Sequence, residues 1–103
     1  MQTPEQEILP LPDGTPEFTI RPDTYCWVVT RNVVSQNGKK RGEVYQQPLF
    51  YNSTFAAAVT KLHDYCCREA ANHMPLLDAF NEGLQKALDA AADAKQYFQG
   101  HLD

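Results

Sequence analysis

The sequence predicts an α+β domain: a small antiparallel sheet of two or three strands with two C-terminal helices packed on one face. Between Tyr25 and Ser35, aromatic and β-branched side chains follow a period of two, the signature of a half-buried strand. A basic turn, Gln36-Asn37-Gly38-Lys39-Lys40-Arg41-Gly42, follows and leads into a second extended run, Glu43 to Tyr51. Beyond Asn52 the apolar spacing changes to three or four residues, the spacing of amphipathic helices.

At 103 residues and 43% hydrophobic content, the chain is sized for one domain with a buried core. Residues 1–16 form a proline-rich tail, 17–51 the sheet and 53–100 the helices. In the tail, Pro4, Pro10, Pro12 and Pro16 remove donors and fix φ, so extended chain is expected, with Ile8-Leu9-Pro10-Leu11 able to lie along the body. Phe18 to Arg21 is a short strand closed by Pro22-Asp23. In the central strand Tyr25, Trp27, Val29, Arg31 and Val33 share one face, and Cys26, Val28, Thr30, Asn32 and Val34 the other. Asn37-Gly38 supplies the reversal, and Gly42 serves a longer turn. The return strand sets Val44, Gln46 and Phe50 against Tyr45, Leu49 and Tyr51. Pro48, which cannot donate to a ladder, marks it as an edge.

Asn52-Ser53-Thr54 is a helix-start signal. Phe55, Val59, Leu62, Cys66 and Ala70 then form one apolar stripe, ended by Met74-Pro75. A second helix starts at Pro75 and ends near Gly100. Its large apolar side chains, Leu77, Phe80, Leu84 and Leu88, continue through Ala91, Lys95 and Phe98 along one side and are expected to face the core. Trp27, Leu62 and Phe80 are then expected to be mutually buried.

The composition bounds the function. No run of about 18 apolar residues is present, so no membrane span is expected. The first twenty residues hold Glu5, Glu7, Asp13 and Glu17 and no basic residue, unlike a secretory leader. A cytoplasmic location with Cys26, Cys66 and Cys67 as free thiols follows as the expectation. His63, Cys66, Cys67 and His73 are the one candidate ligand group, but a structural zinc site takes four ligands from separated segments. A Cys–His pair on one helix has no orienting third group or oxyanion hole. Neither a metal, a cofactor nor an enzymatic activity is expected.

Net charge is −4, with the bases gathered on the hairpin and the acids on the tail and helices. Two partner classes fit that layout. A protein partner would meet the edge-strand aromatics Tyr45 and Tyr51, steered by a rim of Asp78, Glu82, Asp89 and Asp93. A nucleic acid would instead meet Lys39, Lys40 and Arg41 at the turn, with Arg31 nearby. The excess of 13 acids over 9 bases favours the protein partner. Oligomeric state is left open, a homodimer included.

The hairpin pattern comprises Tyr25, Trp27, Val28, Val29 and Thr30, then Gly38, Lys39, Gly42, Glu43, Tyr45, Pro48 and Tyr51, followed by two helices. Over about residues 18–92 it resembles an uncharacterised-domain family of small accessory proteins carried by temperate phages and prophages. The resemblance implies a phage-encoded, non-enzymatic protein that binds a host protein complex in the bacterial cytoplasm, such as an inhibitor of a defence system of the CRISPR kind. That family has no agreed catalytic residues, so none carries over.

Overall fold

Residues 8–101 are described by a computed structural model. In chain order they form β1 (Phe18–Pro22), β2 (Trp27–Val34), β3 (Val44–Asn52), α1 (Phe55–Ala70) and α2 (Leu76–His101). The fold is the expected α+β arrangement, a three-stranded antiparallel sheet in the order β1-β2-β3 with both helices C-terminal to it. Residues 1–7 of the expected tail lie outside the described residues.

Register explains which sheet face carries the core. Phe18 stands opposite Arg31, Ile20 opposite Val29 and Pro22 opposite Trp27. With Phe50 opposite Val29 on the other side, these residues share the face beneath the helices. Phe18, Ile20 and Val29 are buried there with Ala58, Leu62 and Cys66 of α1 and Ala87, Ala90 and Ala94 of α2. Trp27 packs edge-on against Phe55 and Phe98, at ring-centroid distances of 5.0 and 5.6 Å.

The turn between β2 and β3 uses glycine at two places. Gly38 (φ 76°) and Gly42 (φ 92°) occupy the left-handed region, whereas Asn37 does not. The Gly42 amide donates to the Ser35 carbonyl and the Ser35 amide to the Glu43 carbonyl, closing the loop. Beside this loop the N-terminal segment docks as foreseen. The Gln36 side-chain amide accepts from the Leu9 N–H (2.7 Å) and donates to the Leu9 carbonyl (2.9 Å), imitating one rung of strand pairing.

β3 departs from simple alternation. Phe50 pairs with Val29 and Pro48 with Thr30, so Leu49 is an extra residue, a bulge. The bulge reverses the alternation midway along the strand. Tyr45, opposite Val33, and Tyr51, opposite Val28, therefore belong to opposite faces of the sheet, not to the same face as the unbroken pattern implied.

α1 begins where its cap residues place it, with the Thr54 hydroxyl accepting from the Ala57 N–H at 3.0 Å. Of the foreseen stripe it buries Leu62, Cys66 and Ala70, while Phe55 and Val59 are half-buried and Ala58, not foreseen, is fully buried in their place. α2 corrects the expectation. Its buried face is Ala79, Gly83, Ala87, Ala90 and Ala94, and Leu77, Phe80, Leu84 and Leu88 are exposed. Trp27, Leu62 and Phe80 are thus not one buried trio: Leu62 is fully buried, Trp27 half-buried and Phe80 48% exposed. The physical reason is distance. A Cβ on Gly83 would stand 2.8 Å from the Cys67 backbone nitrogen, so the two helices meet across a seam that admits only small side chains. The second helix also runs through Gly100 to His101 and does not end at that glycine.

Candidate functional site

Five of the exposed large apolar residues lie together on α2. At about 100° per residue, the buried small residues, the large apolar residues and the acids occupy three separate sectors. Leu77, Phe80, Leu84 and Leu88, exposed by 72%, 48%, 38% and 52%, line the second sector. Leu76 stands beside them in the first turn, also exposed. Phe80 rests edge-on against His63 of α1, with ring centroids 4.9 Å apart, which ties the face to the neighbouring helix. Placing leucines in water costs about 25 cal/mol per Å² of apolar area left uncovered, so a face of this kind is poised to be covered.

The expected partner residues do not form one site. Tyr45 and Tyr51 are exposed, but on opposite faces of the edge strand β3. Asp78, Glu82, Asp89 and Asp93 are on α2, which packs over β1 and does not reach β3. The acids cannot act as a rim for these tyrosines. Nor are they a plain solvated stripe. Asp93 accepts from the Arg21 guanidinium at 2.9 Å, and Asp89 accepts from the Gln85 amide at 2.8 Å. Asp78 is exposed and Glu82 half-buried.

The alternative set is split in the same way. Lys39, Lys40 and Arg41 are exposed on the turn, with the Arg41 Nε donating to the Gln36 carbonyl at 3.1 Å. Arg31 belongs elsewhere. Its face of β2 points under α1, where it donates to Glu69 (2.8 Å), to Glu17 (3.2 Å) and to the Tyr65 hydroxyl (3.2 Å). Glu17 also pairs with Lys86 of α2 at 3.4 Å, so one polar network joins the sheet to both helices. Burial alone would raise the Glu69 carboxyl, but the hydrogen bonds from Arg31 and Tyr65 outweigh it and hold the group below its ordinary value of 4.5.

A depressed carboxyl of this kind contributes stability that is complete above about pH 4.5 and drains as pH falls further. Arg31→Ala is therefore expected to cost about 1–3 kcal/mol at neutral pH, because it strands the Glu69 carboxylate and leaves Glu17 with Lys86 as its ion-pair partner. The gap in urea midpoint between the native chain and the variant should narrow as the pH drops below the ordinary carboxylate range. A gap that stays constant with acid would contradict the network.

The histidine and cysteine residues are spread out. Cys66 is buried in the core, and burial pushes its thiol up to about 11. The Cys67 thiol is raised by burial and then by Asp64, and it lies 3.8 Å from the Phe80 carbonyl. The Nε2 of His63 is buried without a hydrogen-bond partner. Among the described residues, no three His, Cys, Asp or Glu side chains gather into a group suited to a metal ion. Among them, too, no helix is long and apolar enough to cross a membrane. No protein-family model, curated protein or solved structure matches the chain.

Sequence reasoning found the leucines of α2 but turned them inward. The signal that could have corrected this is the parallel stripe Ala79, Gly83, Ala87, Ala90 and Ala94, which has the same helical period and only small side chains.

Proposed function

We propose that this chain is a non-enzymatic phage accessory protein that acts by binding a host protein complex, with a defence assembly such as a CRISPR effector as its target. The observation that carries the protein-binding part is the α2 face, where Leu77, Phe80, Leu84 and Leu88 meet solvent together. Contiguous apolar surface of this kind marks association sites in soluble proteins. The β3 edge supports the same reading from the far side of the domain. Its outer edge pairs with no strand among the described residues, and it carries one exposed tyrosine on each face. An extended segment of a partner added there would be gripped from both faces. The phage and host-defence part rests on the hairpin resemblance carried by Tyr25, Trp27, Gly38, Gly42, Tyr45 and Tyr51.

Exposure of Lys39, Lys40 and Arg41 on one turn favours nucleic-acid binding as the second reading. The commitment of Arg31 to Glu17 and Glu69 takes away its fourth cation. Two measurements separate the classes. Expressing the chain in bacteria whose CRISPR system targets an infecting phage should restore plaquing, and the captured host complex should survive nuclease. Unchanged plaquing removes the defence target. Tight oligonucleotide binding at low salt, with a salt slope that falls by about three in the Lys39/Lys40/Arg41 triple alanine variant, would establish the second reading instead.

A further inference from the structure

We infer that the α2 face is the seat of a second copy of this chain, packed antiparallel across a two-fold axis. The inference rests on the reading of that face as protein-binding and names its occupant. A two-fold interface must be self-complementary, since each patch meets its own copy. Reversing α2 near Glu82 brings Phe80 over Leu84 and Leu77 over Leu88, each to within about half a residue's rise of register, so the apolar stripe maps approximately onto itself. The stripe is roughly 16 Å long, and opposed helices also oppose their dipoles.

Charge decides between a copy and a charged host surface. The residues bordering the stripe on its outer side are Asn81, Gln85 and Ala92, all uncharged, and Lys95, further along the same side, falls beyond the first turn of the opposed helix and so does not meet its own copy. Asp78, Glu82, Asp89 and Asp93 lie on the other flank of the helix, and Asp93 is turned to Arg21. A chain of net charge −4 can therefore approach its own copy at this face without juxtaposing like charges. A basic partner would find no acidic rim there. Leu77, Phe80, Leu84 and Leu88 span about three turns of α2 and are each more than a third exposed, so a second copy seated there would take all four out of water together. The resulting dimer leaves both β3 edges uncovered, because α2 does not reach β3.

Sedimentation equilibrium of the full chain at micromolar concentration tests this. The expected mass is that of two 11.6 kDa chains. Leu84→Asp should weaken the dimer by at least about thirtyfold, the effect of losing one anchor, while its circular dichroism stays that of the native chain. Cross-linking checks the direction: Leu77→Cys should form a disulfide with Leu88→Cys of a second chain, and not with itself. A native chain that is monomeric throughout overturns the inference, as does Leu77→Cys linking to itself. If that monomer captures a host protein and Leu84→Asp abolishes the capture, the protein-binding reading of the face survives. If Leu84→Asp changes neither mass nor capture, both fall.

Discussion

Leu62→Ala is expected to lower the unfolding free energy by about 3–5 kcal/mol. Leu62 is fully buried at the meeting point of Ile20 and Val29 with the small residues of α2, so truncation leaves a void that neighbours from three elements cannot close. In a domain of this size, a loss of 3 kcal/mol shifts Tm by about 12 °C or more. The urea midpoint should fall with its slope unchanged. Phe80→Ala is the control. With about half of its ring in water, Phe80 should cost only about 1 kcal/mol, mostly from its contact with His63. Equal losses at the two positions would mean that the leucine face is buried after all.

Gly83→Ala should destabilise the domain by about 2–3 kcal/mol, against the ordinary trend for such a change. In an open helix, alanine gains about 0.8–1 kcal/mol over glycine. Here the added methyl would stand 2.6 Å from the Cys67 Sγ, 2.8 Å from its backbone nitrogen and 3.1 Å from its Cα. Two of those three atoms are backbone, so the helices must separate. Cys67→Ala in the same chain removes the sulfur contact alone, and partial recovery is the expected result. A Gly83→Ala variant as stable as the native chain, by thermal or urea unfolding, would show that α1 and α2 do not approach so closely.

What was legible in the sequence was local. The period-two run of β2, the glycines of the turn, the Thr54 cap and the break at Pro75 each act within a few residues of themselves, and each stands where it was expected. The choice between two helical stripes on α2 was not local. Hydrophobicity favours the leucines, whereas close approach to α1 favours alanine and glycine, and the approach distance exists only in three dimensions. The bulge at Leu49 had no clear signal either, although Pro48 stands next to it, and it is what separates Tyr45 from Tyr51. Arg31 was assigned to the nucleic-acid set because it neighbours the turn in sequence. Its partner Glu69, 38 residues on, could not be read from spacing.

The seam between β1 and the C-terminal half of α2 bears on how the chain leaves the ribosome. Phe18 and Ile20 share the core with Ala87, Ala90 and Ala94, and Arg21 meets Asp93 across 72 residues. Synthesis runs from the N-terminus, so the three-stranded meander and α1 emerge before the segment that covers β1 has been made. Until that segment appears, the nascent sheet shows water an apolar strip next to an unpaired strand edge, the combination that recruits chaperones and invites association between neighbouring chains. Its closure must therefore wait until α2 has been made, however fast any single helix or hairpin forms.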